Sequence, residues 1–387
     1  MYIIKNVEIN NMVNEEPFIG DVLMDNGKIV QIGKDIDETS SIVIDGTDKK
    51  LFPGFIDAHT HLGLRESGIG FEGDDVNELS NPLTPELKAI DGINPLDKTF
   101  DEAREAGITC VSCGPGSANI VGGQFAIIKT CGHRIDKMIV NPSHAMKIAF
   151  GENPKRVYKG LGMSPQTRLA VAAELRNILT KTKTYIASIE AAGDDLSKMP
   201  TYNNKLEAMI PVIKREIPLK AHAHRADDIF TAIRIAKEFN LKLTLDHCSD
   251  GHLIVEDLVE EGYDAIVGPT FGHKSKYETK NKTFETPGIL QRAGVRVAIM
   301  TDHPVIPVQY LPMMAGLSAK AGMARFEALK AITINPAEIL GIADRVGTIE
   351  VGKDADLVLM TGHPFELDAK VEFTFIEGKV AYKAEDF

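Results

Sequence analysis

The chain has 387 residues, 43% of them hydrophobic and 25% charged, with a formal net charge of −12. Those proportions suit a soluble globular protein, and the excess of acid argues against nucleic acid and anionic membrane surfaces as partners. The length fits two structural units or one large barrel with additions; no run approaches the ~18 unbroken apolar residues of a membrane span, and Met1-Tyr2-Ile3-Ile4-Lys5 lacks the basic-then-apolar start of a secretory leader, so a cytoplasmic protein is expected.

Residues 1–50 alternate apolar and polar positions between turn signals. Asp25-Asn26-Gly27-Lys28 predicts a hairpin turn between strands 21–24 and 28–32. No titratable cluster falls in this segment, and it reads as structural. From residue 51 short β-type runs alternate with helical stretches. The first run is Pro53-Gly54-Phe55-Ile56-Asp57-Ala58-His59-Thr60-His61. Alternation along a strand puts His59 and His61 on one face, where two imidazoles can ligate a single divalent cation. A helix over 100–106, stopped by Gly107, precedes a second strand over 108–112. Of the four cysteines, Cys110 and Cys113 make a formal C-x-x-C. They lie inside a buried run rather than at a helix N-terminus, which favours small core side chains over a redox pair or a zinc ribbon.

The region 113–143, rich in glycine, reads as a hairpin excursion around a third strand. A strand over 146–150 stops at Asn153-Pro154, and 167–179 has helical periodicity. The rhythm then becomes regular: helix 205–216 interrupted at Pro211, strand 218–222, helix 226–239, strand 241–246, helix 253–261, strand 264–267, helix 288–293 and strand 295–301. This alternation predicts right-handed βαβ units and an α/β fold, a closed (β/α)8 TIM-type barrel spanning 51–344. No Gly-x-Gly-x-x-Gly or phosphate loop opens a helix, which argues against a dinucleotide fold. After 345 the β pattern returns, with strands over 357–360, 371–376 and 379–382. The segments 1–50 and 345–387 are expected to combine into one small composite β-sandwich domain beside the barrel.

In a parallel barrel the carboxyl ends of the strands build the active site. Lys220-Ala221-His222, Thr244-Leu245-Asp246-His247 and Thr301-Asp302 each end a predicted strand on a ligand-type residue. With His59 and His61, five such groups would face one barrel mouth, which points to a metal centre. His133, His144, His252 and His363 have no such placement and read as structural or surface residues.

These residues, together with Thr333-Ile334-Asn335-Pro336-Ala337 and Gly347-Thr348-Ile349-Glu350-Val351-Gly352-Lys353-Asp354-Ala355-Asp356-Leu357, resemble the amidohydrolase superfamily of metal-dependent hydrolases over nearly the whole chain. Within it the sequence looks most like the imidazolonepropionase- and prolidase-like branch. The resemblance implies that His59, His61 and Asp302 hold one divalent ion, Zn2+ or another, and that His222 and His247 hold a second or share the first. It also implies a bridging carboxylated lysine or glutamate from a middle strand. Met146-Lys147-Ile148-Ala149-Phe150-Gly151-Glu152 offers both. On a continuous strand the two would face opposite sides, and Lys147 would lie ~16 Å below Glu152 at ~3.3 Å per residue. That geometry favours Glu152 as the bridge.

His224, Arg225 and His273 follow ligand positions in loops and are candidate substrate contacts; Arg65, Lys155 and Arg156 are loop cations that could hold a substrate carboxylate or be solvated. The implied reaction is hydrolysis of a non-peptide or cyclic-amide C–N bond by metal-activated water. In it Asp302 moves the proton to the leaving nitrogen, and His247 or His224 helps to stabilise the oxyanion. A deaminase of an aminated heterocycle is the enzymatic alternative. Deaminases on this scaffold tend to carry a glutamate three residues after the strand-five histidine, where this chain has Arg225. A metal-free scaffold protein is the other, although the ligands that such proteins lose are all present here. The expected partner is a small molecule, with homo-oligomerisation left open.

Overall fold

The turns that the sequence marks are the ones that shape the smaller of two sheets. In the computed structural model, which describes residues 1–37 and 39–385, this sheet collects β1 (Tyr2–Ile9), β2 (Phe18–Asp25), β3 (Lys28–Gly33), β4 (Ile42–Asp45) and β5 (Lys50–Pro53) from the start of the chain. The β2–β3 hairpin turns on Asn26 (φ 46°) and Gly27 (φ 82°), the paired positive φ of a type I′ connection. From the other end come β14 (Leu357–Met360), β15 (Val371–Ile376) and β16 (Lys379–Lys383), and β14 lies antiparallel to β5. The result is one mixed eight-stranded sheet in the order β16-β15-β14-β5-β1-β2-β3, with β4 beside β1. It is tied to the larger sheet by buried Lys129, whose Nζ donates to Asp356 (2.6 Å) and Asp354 (3.1 Å).

The larger sheet contains β6 (Phe55–Thr60), β7 (Ile108–Cys113), β8 (Val121–Lys129), β9 (Ile139–Ala149), β10 (Leu219–Ala223), β11 (Leu243–His247), β12 (Asp264–Val267) and β13 (Val297–Ile299), each paired with the next. Beyond the last strand, the Asp302 N–H donates to the His59 carbonyl (3.2 Å) and the His61 N–H to the His303 carbonyl (2.9 Å), which brings the two edges together as a barrel. The helices are α1 (Thr99–Glu105), α2 (Glu152–Gly160), α3 (Arg168–Ala192), α4 (Asn204–Ile213), α5 (Ala226–Phe239), α6 (Val255–Glu261), α7 (Thr286–Arg292), α8 (Leu311–Lys320), α9 (Arg325–Lys330) and α10 (Ile334–Ile339). The longest, α3, starts at Thr167, whose hydroxyl accepts the Ala170 N–H (3.1 Å), and it buries Val171, Leu175, Ile178 and Leu179 in the core that covers β9–β12.

The barrel departs from strict parallel order in one place. β8 runs antiparallel to both β7 and β9. The link 114–120 is too short for a helical crossover, so the chain can only return in the opposite direction. This is the glycine-rich excursion that the sequence marks. Cys110 and Cys113 are fully buried in β7, and burial pushes the Cys110 thiol up to about 12. Among the described residues, no helix is long and apolar enough to cross a membrane.

Candidate metal centre

Charged residues inside apolar strands face the barrel interior. Asp57, His59, Lys147, Lys220 and Asp246 are all almost completely buried there. Asp57, Lys220 and Asp246 are each held by partners. Lys220 Nζ donates to Asp246 (2.8 Å) and to the Ala58 carbonyl (2.9 Å), while the other side of Asp246 binds His59 Nδ1. Asp57 accepts the His59 N–H (3.1 Å), the Thr301 N–H (3.1 Å) and the Thr301 hydroxyl (2.6 Å), stapling β6 to the segment that carries Asp302. Burial pushes the Asp57 carboxyl up to about 7. Two ligand-type residues hold left-handed backbone: His247 at φ 71° and Asp302 at φ 55°. Such strain in non-glycine residues is retained where the surroundings over-determine it, commonly at functional sites.

Hydrogen bonds fix the imidazole protons. His61 Nδ1 meets the Gly114 carbonyl (2.6 Å) and His247 Nδ1 the Gly268 carbonyl (2.8 Å). A carbonyl only accepts, so both rings carry the proton on Nδ1 and turn a bare Nε2 inward. His61 Nε2 lies 3.2 Å from Asp302 Oδ1, and His59 Nε2 lies 3.5 Å from the same oxygen. Without a cation or a proton between them, these acceptors would repel one another. His247 Nε2 and His222 Nδ1 are buried with no hydrogen-bond partner among the described residues. Burial above all, reinforced by the Lys147 charge, holds His59 and His222 well below the usual imidazole range, and His224 and His247 are likewise neutral.

Two groups of donors result. In each of His59–His61–Asp302 and His222–His224–His247, one ligand atom per residue lies within 4.8 Å of the others. The rings of His59 and His247 link the groups, with centroids 5.5 Å apart. Neutral imidazoles, a carboxylate and orphaned buried nitrogens fit divalent cations of the zinc type. His224, read from sequence as a substrate contact, stands within the second group; its Nδ1 meets Ser249 Oγ at 2.8 Å.

The structure does not bring Glu152 to either group. It opens α2, and its carboxylate accepts the Glu278 N–H at 3.4 Å. Lys147 is the residue in the site, with Nζ 3.0 Å from His59 Nε2. The expectation that Lys147 lies far below the mouth assumed a strand running on to 152. β9 ends at Ala149, and Gly151 at φ 84° turns the chain straight into a helix, so both the distance and the parity are lost. Arg225 points elsewhere: it makes a two-pronged contact with Asp227 (2.9 and 2.8 Å) and stacks on Tyr277. Buried Glu278, beside His222 and His224, is a residue that sequence reasoning missed, because it sits in a short irregular turn with no periodic signal.

Above the donors opens a cavity of about 440 Å³, whose lining includes His61, His222, His224, His273 and Asp302. Arg65, Arg156, Lys276 and Lys282 also line it, and Asp302 is its only carboxylate among the described residues. Lys282 donates to the carbonyls of Phe271 and His273 (3.2 and 3.3 Å) rather than to an acid.

Residues 213–381 match the model of the amidohydrolase family. A solved amidohydrolase from Thermotoga maritima is 41% identical, covers 99% of this chain and 100% of its own, and superposes with a TM-score of 0.97. The amidohydrolase tasK of Hapsidospora irregularis is 26% identical over 94% of this chain, which spans only 40% of that protein's length. An imidazolonepropionase from Sphingopyxis alaskensis is 24% identical over 93% of this chain and 91% of its own.

Proposed function

The chain belongs to the amidohydrolase family, and from that premise we propose that it is a divalent-metal-dependent hydrolase of small anionic amides, cyclic or N-acyl, at a C–N bond other than a peptide bond. The observation that carries the metal reading is the pair of unpartnered buried nitrogens, His222 Nδ1 and His247 Nε2, opposite His59, His61 and Asp302. A bound cation of the zinc type supplies polarisation of a carbonyl and acidification of water.

The residues would divide the work as follows. His59, His61 and Asp302 hold one cation; His222 and His247, with His224 beside them, hold the other. Lys147 contributes as a carbamate, its amine adding to CO2 with loss of one proton to solvent. Charge supports this: among the described residues Asp302 is the only carboxylate in the two groups, and a carbamate adds a second negative charge against two dications. Asp302 takes the proton from water at the cavity floor and delivers it to the leaving nitrogen. Arg156 and Lys282, which have no acidic partner among the described contacts, draw in the negative end of the substrate. His273, exposed on the same rim, is a further contact for it.

The reading is tested by metal analysis of the purified protein and a screen of N-acyl amino acids, hydantoins and imidazolones, each beside its uncharged counterpart. The expected result is bound divalent metal, turnover of the anionic members, and loss of turnover on chelation that added Zn2+ restores. Protein without metal and without turnover of any amide would sink it. Arg156→Gln should raise KM for anionic substrates by ~10–100-fold, the scale of one lost charge-assisted hydrogen bond, and leave uncharged ones unchanged. An equal effect on both classes in steady-state kinetics would remove Arg156 from substrate capture.

A further inference from the structure

Glu278 is 1% exposed, in the irregular segment between β12 and α7. Its two oxygens have different fates. Oε2 accepts the Glu152 N–H at 2.8 Å, at the start of α2, where a negative charge is favoured. Oε1 is buried with no hydrogen-bond partner. Three nitrogens ring it just beyond hydrogen-bonding distance: His222 Nε2 and His224 Nε2, each at 3.9 Å, and Lys276 Nζ at 3.7 Å. An unsatisfied buried carboxylate oxygen costs free energy unless some state of the protein uses it.

His222 presents the complementary feature. Its Nδ1 is buried and unpartnered, and Nε2 is the nitrogen on the side of Glu278. If Nδ1 gives its lone pair to a cation, the neutral ring must carry its proton on Nε2. That proton needs an acceptor. Asn153 is nearer, at 3.4 Å, but its Oδ1 is held by Lys276 Nζ at 2.7 Å, so it presents the donor Nδ2; without a cation that amide donates to Nε2, and binding of a cation at Nδ1 has to displace it. Glu278 Oε1, at 3.9 Å and just short of a hydrogen bond, is then the acceptor on that side. Ligating histidines generally donate their second N–H to such an outer group, which fixes the tautomer and raises ligand basicity.

We propose that Glu278 is a positioning residue for the metal centre, holding the proton of His222 on Nε2 so that Nδ1 is presented as a ligand. This rests on the metal-dependent reading above. Glu278 touches neither cavity nor substrate; it acts through His222.

The decisive substitution is Glu278→Gln. The Glu152 N–H selects the amide oxygen, as it now selects Oε2, so the amide NH2 falls at the place of Oε1. An acceptor ringed by donors becomes a donor facing donors, with size and shape kept. The measurement is Zn2+ affinity of the full-length chelator-stripped protein by competition with a chromogenic chelator, with Co2+ absorption spectra alongside. One of two metal equivalents is expected to weaken by ~10–100-fold and its Co2+ band to change, while the other equivalent stays as in wild type. The thermal midpoint of the stripped protein should stay within a few degrees, a result that a purely structural role at the start of α2 would not give. Glu278→Asp keeps the acceptor but retracts it, and should weaken the same equivalent by less; it decides the matter if the Gln variant does not fold. Wild-type affinity for both equivalents in either variant that folds overturns the inference alone. A wild type that binds no divalent cation overturns it together with the functional reading.

Discussion

Lys147→Met is expected to lose most of its activity and, without metal, to be more stable than wild type. Lys147 Nζ is fully buried, its one hydrogen-bond contact is His59 Nε2 at 3.0 Å, and the neighbouring acid Asp246 is already engaged by Lys220 at 2.8 Å. Burial, opposed by Asp246 and Asp302 and reinforced by Lys220, brings its pKa from 10.5 to about 8. A lysine in that state is a competent amine nucleophile towards CO2, and a buried ammonium with no acid of its own is a poor structural element. Methionine fills similar space without charge. Loss of the carbamate should cost ~10²–10³-fold in kcat, the scale of one preorganised electrostatic group. Lys147→Ala, which leaves room, should regain part of that activity with acetate or propionate, and labelled bicarbonate should give a carbamate 13C signal only when Lys147 is present. Wild-type turnover in Lys147→Met, or no such signal in the active wild type, would leave Lys147 a structural residue.

The stability half of this prediction has a defined pH window. Between about 8 and 10.5 the folded protein binds fewer protons at Lys147 than the unfolded chain does. Stability of the metal-free wild type therefore rises with pH through that window, and below it the whole penalty is present, roughly 3 kcal/mol for a shift of this size. Lys147→Met lacks the penalty at every pH. Its advantage in chemical denaturation should be largest at pH 7 and fade by pH 10.5. An advantage independent of pH would trace it to packing alone.

Lys147 also marks where sequence reasoning stops. The alternation of helix and strand, the pairing of the chain ends and the strand-end positions of His59, His61, His222, His247 and Asp302 were legible because they follow from period and punctuation. The bridging candidate was not, because that reasoning needed the residue at which β9 stops. Gly151, at φ 84°, turns the chain into a helix beginning at Glu152, where the Asn153-Pro154 signal was read only as a strand stop, so Lys147 is two residues from the strand end. Strand parity also fails at β11: Asp246 faces the interior, yet His247 reaches the mouth as well, because its backbone is left-handed. Opposite charges inside apolar strands, Lys220 and Asp246, were the available sign of an internal polar network. Glu278 gave no sign, since an irregular loop has no repeat from which to read a direction.

Asp302→Asn should lose ~10²–10⁴-fold in kcat, the contribution of a positioned proton carrier, with most of its metal retained. Its position supports both parts. Asp302 Oδ1 lies 3.2 Å from His61 Nε2, and it is the only carboxylate lining the cavity among the described residues. Asparagine keeps an oxygen for the cation but cannot take a proton from water. It also tolerates the left-handed backbone at φ 55°, which alanine would not, so the variant tests chemistry rather than folding. The Thr301 bonds to Asp57 are untouched, which should hold the segment in place. Near-normal turnover with full metal content would assign the proton transfer elsewhere; loss of turnover accompanied by loss of metal would make Asp302 a ligand only.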